Sequence, residues 1–303
     1  MRPWRYLGAN PDGWWCRRGA CRGVTRGGVF IDREVPLIAR LGVSTVRLEF
    51  PWFLIEPRRG TYDWRRSDRI VRTVTRAHLK LQPVLVWTPR WAGKTPATPP
   101  TAASFSRFAQ AFARRYRASI RHIELWNEPD LARYWNGTQA QYVRRVLVPG
   151  YRAIKRGNPR ARVILGGPSF ADEAWLHRIY DLGGGRSFDV AAFHDYSGDL
   201  SILEHARVVK AVLRAYGDAR KPVWLGEFGF EEPGTDDLRH AALLEQVLTR
   251  PAPIAMAQWY TLRDDYPATC CPVQTVEEST FGLLTGDLRP KRSYGTLRRL
   301  VLP

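Results

Sequence analysis

The chain has 303 residues, 44% of them apolar and 25% charged, and no Pro/Gly/Ser-rich linker, composition break or low-complexity run divides it. This excludes a disordered or fibrous chain, no apolar run reaches membrane-spanning length, and the size allows a large core without disulfide or metal staples. The formal net charge of +18 comes from 6 lysines and 41 arginines against 29 acidic residues. Most arginines fall on what read as outer helices, for example Arg65, Arg69, Arg72, Arg76, Arg114 and Arg117, so the charge reads first as a solvated exterior. An anionic partner such as an acidic glycan or the cell envelope is the sharper reading. No nucleic-acid motif accompanies the charge, so nucleic acid is not an expected partner.

Residues 6–10 form a short first strand, followed by an irregular loop with Trp14, Trp15, Cys16 and Cys21. Val35, Ile38, Ala39 and Leu41 mark a helix that Gly42 terminates. Strand two is 44–50, with Thr45, Arg47 and Glu49 on one face. Ile70, Val71, Val74 and Ala77 mark the next helix, and strand three, 81–87, ends in Thr88-Pro89-Arg90-Trp91. Phe105, Phe108, Ala109, Phe112, Ala113 and Tyr116 follow helical spacing, and such an aromatic stripe reads as core. After strand four comes a helix begun by Tyr142, Val143, Val146 and Leu147, which Pro149-Gly150 should kink. Strand five is 162–167 and strand six 188–196. A helical stripe of Ile202, Ala206, Val209, Leu213 and Tyr216 leads to strand seven. Leu243, Leu244 and Val247 belong to a further helix, strand eight is 254–260, and residues 281–291 introduce a last helix. Eight strands alternating with helices predict an α/β fold: a single (β/α)₈ barrel domain over 1–303, with its site at the strands' carboxyl ends.

Two strand ends carry the chemistry. In His122-Ile123-Glu124-Leu125-Trp126-Asn127-Glu128-Pro129, alternation puts Glu124, Trp126 and Glu128 on one face, and Pro129 ends the strand. A residue before proline is pushed toward extended backbone, so Glu128 should be extended and presented to a cleft. Strand seven, Pro222-Val223-Trp224-Leu225-Gly226-Glu227-Phe228-Gly229, also ends on a glutamate, 99 residues later, a spacing that fits three strand-plus-helix units. Two carboxylates about 5–5.5 Å apart can break a glycosidic bond with retention, one attacking and the other serving as acid and then base.

Trp126-Asn127-Glu128-Pro129-Asp130-Leu131, with Glu227-Phe228-Gly229 downstream, resembles glycoside hydrolase clan A: retaining glycosidases on a (β/α)₈ barrel with the acid/base on strand four and the nucleophile on strand seven. The resemblance runs over nearly the whole chain. The loop from Pro51 to Trp64 and the ending Phe281-Gly282-Leu283-Leu284 to Pro290-Lys291 are similar to clan sequences. Pro89 and Trp91 look like the strand-three end of the family 39 β-xylosidases and α-L-iduronidases, with a family 5-like enzyme the next choice. The cellulase-type family commonly carries a histidine there, and this chain departs from it.

The resemblance implies Glu227 as nucleophile, Glu128 as acid/base, Asn127 on the sugar 2-hydroxyl, and a His-x-Tyr pair in His194 and Tyr196, the tyrosine touching the nucleophile. Arg47 points inward and could hold Glu227 ionised, or pair structurally with Glu49 or Glu124. Trp259 is expected to floor the cleft, and Trp87, Trp91 and Trp135 to line it, with about half of the strand-end and loop tryptophans buried instead. Arg90, Arg133 and Arg263 in the same loops point to an anionic substrate. No cofactor and no metal are expected. The alternatives are a non-catalytic carbohydrate-binding barrel and an endo-acting glucanase or mannanase type.

On the proposed barrel, Cys16 and Cys21 follow strand one, and Cys270 and Cys271 follow strand eight, its neighbour on closure. Two cross-loop disulfides fit that placement and imply an oxidising compartment, extracellular or cell-envelope, with the leader absent from this sequence. Four free thiols in a cytosolic enzyme are the alternative.

Overall fold

The computed structural model describes residues 8–9, 29–232, 236–264 and 280–302. In chain order, β1 (Gly8–Ala9) precedes α1 (Val29–Arg40), which Gly42 ends at a φ of +78°, a left-handed conformation glycine takes without steric cost. Then come β2 (Thr45–Pro51), α2 (Trp52–Ile55), α3 (Arg65–Arg76), β3 (Lys80–Val86), α4 (Ala102–Arg115) and β4 (His122–Leu125). The second half runs α5 (Gln139–Tyr142), α6 (Val148–Gly157), β5 (Arg162–Leu165), α7 (Glu173–Asp181), β6 (Ala191–Asp195), α8 (Ser201–Ala215), β7 (Val223–Phe228), α9 (Leu238–Thr249), β8 (Ile254–Trp259) and α10 (Arg292–Val301).

All strand pairs are parallel, in the order β5-β4-β3-β2-β1-β8-β7-β6. A parallel bridge between Ile164 and Val190 joins the two ends, with Leu165 N–H donating to Val190 O at 3.0 Å, so the eight strands form a (β/α)₈ barrel. Inside, Ile164, Val190, Ala192, Trp224 and Met256 fill one layer. Outside, the α4 stripe packs as its spacing predicts: Phe105, Phe108, Ala109 and Phe112 have no exposed surface, and Trp52 stacks on Phe108 at 5.1 Å. Each of these phenylalanines contributes about 1.5–3 kcal/mol by leaving water. Arg65, Arg69, Arg72 and Arg76 of α3, and Arg114 and Arg117 around the end of α4, are exposed, as a solvated exterior requires.

Three local expectations are corrected. Strand four ends at Leu125, and Trp126 (φ +76°) and Glu128 (φ +39°) are left-handed rather than extended. The preference imposed by Pro129 yields to tertiary bonds, since Trp126 N–H donates to Leu85 O at 3.1 Å and Glu128 N–H to Gly167 O at 3.1 Å. Such conformations cost about 1–3 kcal/mol each and persist where the surroundings over-determine them. The twist turns Trp126 outward against Phe105 and Trp135 instead of alongside Glu124. The kink expected at Pro149 takes the form of a π-helical turn, Val143–Leu147, because a proline lacks the N–H for the α ladder and crowds the carbonyl four residues back. Helix α7, capped by Asp172 accepting from Trp175 N–H at 2.9 Å, is an element the apolar spacing did not announce.

Candidate active site

From the inner face of β2, the guanidinium of Arg47 is fully buried and organises its neighbours. Nε and Nη2 donate to the two oxygens of Glu124 at 2.8 and 3.0 Å, a bidentate fork. Nη1 donates to Glu227 Oε1, and Nη2 also reaches Asn127 Oδ1 at 2.8 Å. Arg47 therefore bonds Glu124 and Glu227 at once. Gln82 Nε2 donates to Glu124 Oε2 at 2.8 Å, seating the buried carboxylate from below.

Glu227, on β7, has its second oxygen held by the Tyr196 hydroxyl, which donates to Oε2. Burial pushes its carboxyl up, but His194, Arg47 and Tyr196 together outweigh that and hold it below the usual carboxylate range. Glu128 is equally buried, and its partners differ: His194 Nδ1 lies 2.8 Å from Oε1, and Arg133 Nη2 donates to Oε2 at 3.5 Å. Burial pulls the His194 imidazole down, yet Glu227 and Glu128 win and raise it above its ordinary value. Its ring fits only because two flanking positions are glycine. A Cβ on Gly167 would stand 2.9 Å from the imidazole, and one on Gly226 3.2 Å.

Atoms of Glu128, His194 and Glu227 all lie within 4.8 Å of one another. Three such side chains could ligate a metal ion, but the Arg47 guanidinium already stands against Glu227, and His194 Nδ1 is taken up by Glu128. Glu128 and Glu227 thus present carboxylate oxygens to one another across the site.

Residues 99–254 match the family described as glycosyl hydrolase catalytic core, a stretch that includes Asn127, Glu128, His194, Tyr196 and Glu227 and more than half of the chain. The chain belongs to that family. It is a glycosyl hydrolase, as the resemblance read from its strand ends implies. Among curated protein sequences no match was found. Among solved structures, a monomeric β-xylosidase from Caulobacter crescentus CB15 superposes with a TM-score of 0.78 at 18% identity, over 99% of this chain and 68% of that one. A family 39 glycoside hydrolase from Bacteroides cellulosilyticus WH2 gives 0.72 at 20% identity, over 100% and 65%. The exo-β-1,4-mannosidase Op5Man5 from Opitutaceae bacterium strain TAV5 gives 0.70 at 22% identity, over 98% and 59%. At these identities the likeness is one of fold, and this glycosyl hydrolase spans about two thirds of the length of such proteins.

The tryptophans of this glycosyl hydrolase divide differently from expectation. Trp87 does line the site, its indole N–H donating to Glu49 Oε2 at 2.6 Å and its ring 5.2 Å from Tyr134. Trp91 is half-buried beneath the β3 loop, bonded to Glu56 O and edge-on to Trp52. Trp135 is core, its N–H on Thr138 O and its ring against Trp126 and Tyr142. Trp259 is fully buried behind β8, against Phe228 and His240 with its N–H on Phe281 O, and does not floor the cleft. Strand parity explains this: Met256 joins the barrel's inner layer and Gln258 reaches Gln82 across the interior, so Trp259 faces outward and Tyr260 faces in, edge-on to Tyr196 at 6.0 Å. Arg263 is likewise buried, donating to Glu34 at 2.8 Å, and is withdrawn as a substrate contact. Glu49, Tyr134 and Tyr260 are site residues that the sequence reading did not assign. Cys16, Cys21, Cys270 and Cys271 lie outside the described residues.

Proposed function

We propose that the protein is a retaining glycosidase acting on β-linked, equatorial glycosidic bonds by double displacement. The observation carrying this reading is the pair Glu128 and Glu227, at most 4.8 Å apart at their closest oxygens and held by different partners. Glu227, kept ionised by Arg47, His194 and Tyr196, attacks the anomeric carbon while Glu128 gives its proton to the departing oxygen. Glu128 then takes a proton from water, which attacks from the face the leaving group left, displaces Glu227 and restores both groups. Asn127, fixed through Oδ1 by Arg47, holds the sugar 2-hydroxyl with its amide nitrogen, a bond that strengthens in the transition state.

The carbohydrate substrate is an oligo- or polysaccharide. An acidic group on it would be read on the leaving-group side, where the Arg133 side chain is 40% exposed beside Glu128 and Arg90 is exposed at the β3 end. A panel of aryl glycosides with Glu128→Ala tests the assignment. On methylumbelliferyl glycosides kcat/KM should fall by about 10²–10⁴-fold, while a dinitrophenyl glycoside, whose leaving group needs no proton, should lose far less in the first step. Equal losses on both would remove Glu128 from the acid role.

The four cysteines place the enzyme, in this reading, in an oxidising compartment. Thiol titration of the unfolded, unreduced protein should then find none. Four titratable thiols would return it to the cytosol. Among the described residues no helix is long and apolar enough to cross a membrane.

A further inference from the structure

Double displacement, as argued above, uses Glu128 and Glu227 and the groups that hold them. Glu49 belongs to neither set, yet it sits among them. It lies two residues beyond Arg47 on the inward face of β2, in register with Val84 of β3. From its own strand it faces Arg47. From the β3 end it faces Trp87, whose indole N–H it accepts at 2.6 Å, and from the β4 and β7 sides Glu128 and Glu227. Burial first, then the two glutamates, push its carboxyl up to about 7, against the pull of Trp87 and Arg47. The Tyr134 hydroxyl feels the same three carboxyls, its ring touching Trp87 on one side and carrying the Arg133 guanidinium at 4.9 Å. Glu49, Trp87 and Tyr134 thus form one wall of the pocket, and His194 and Tyr196 hold the glutamates from the β6 side.

Double displacement as described leaves this third carboxyl without a role. It can, however, accept from sugar hydroxyls, and its charge repels a ligand carboxylate. We propose that Glu49 is the residue that reads the glycone, binding hydroxyls of a neutral sugar seated between Glu128 and Glu227 and rejecting a uronic acid there. The inference rests on the two-glutamate reading. It confines any acidic group on the substrate to the leaving-group side.

The test compares wild type, Glu49→Gln and Glu49→Ala on methylumbelliferyl β-D-glucoside, β-D-xyloside, β-D-mannoside and β-D-glucuronide. Wild type should favour its best neutral member over the glucuronide by about 100-fold or more in kcat/KM, and Glu49→Gln should narrow that ratio by about tenfold or more. Glu49→Ala should lose about tenfold on the neutral member, chiefly in KM. The wild-type discrimination should also weaken as pH falls below about 7 and Glu49 takes up a proton. Independently of turnover, calorimetry should show glucuronic acid binding Glu49→Gln more tightly than wild type, with glucose the control. A ratio unchanged in Glu49→Gln, a wild-type preference for the glucuronide, or equal glucuronic acid affinity in the two proteins overturns the proposal. Undiminished turnover by Glu227→Ala would overturn the two-glutamate reading instead, whatever the ratio.

Discussion

Replacing Glu227 by alanine is expected to lower kcat by about 10⁵-fold, because the step that breaks the bond loses the atom that forms the new one. Adding azide should restore part of the rate. The small anion fits the space vacated beside Arg47 and Tyr196, attacks from the face that Glu227 used, and yields a glycosyl azide of inverted configuration. In the unaltered enzyme, a 2-fluoro glycoside with a good leaving group should add its glycosyl mass to the peptide carrying Glu227, and the sugar first released from an ordinary substrate should keep its anomeric configuration by NMR. Inverted product from the unaltered enzyme would rule out a covalent intermediate at this side chain.

Arg47→Met should cost about 3–5 kcal/mol of folding stability, read as a fall in the urea midpoint. The loss arises from what stays behind. Glu124 has no exposed surface, Glu227 is nearly as deep, and both lose the guanidinium that bonds them. Arg47→Lys keeps the charge but cannot span Glu124, Glu227 and Asn127 together, so it should recover part of the stability and little of the activity. The pH dependence separates this from simple unfolding. A carboxyl whose pKa in the folded protein is depressed stabilises the fold above its unfolded pKa, and that stability is lost as pH falls through the depressed value. Glu227 is such a group, and Arg47 is one cause of its depression. The acid limb of kcat/KM should therefore lie below the ordinary carboxylate range in the unaltered enzyme and move to higher pH in the variants that retain activity. A limb that stays in place would mean that Arg47 does not set the charge state of Glu227.

How much of this could be read without coordinates depended on how local each signal was. The eight strands, the α4 stripe and the Gly42 stop follow from residue periodicity and backbone sterics, which act over a few positions. The two glutamates were legible because each falls at the carboxyl end of an apolar run of strand length, and His194 with Tyr196 because the clan pattern pairs them. Trp259 shows the limit. A strand of a parallel barrel is buried on both faces, so its apolar run does not say which parity points inward, and Tyr260 rather than the tryptophan faces Tyr196.

Sequence by itself therefore determined the alternation of strands and helices, the strand ends at which a site could form, and two carboxylates of the right kind. Only the tertiary structure decided that Arg47 would bond Glu124, Glu227 and Asn127 together, that Glu128 would turn left-handed, and that Glu49 would stand as a third acid in the pocket. The physical reason is that charge state and orientation at these positions are set by groups 38 to 180 residues away, whose approach depends on barrel closure and strand register.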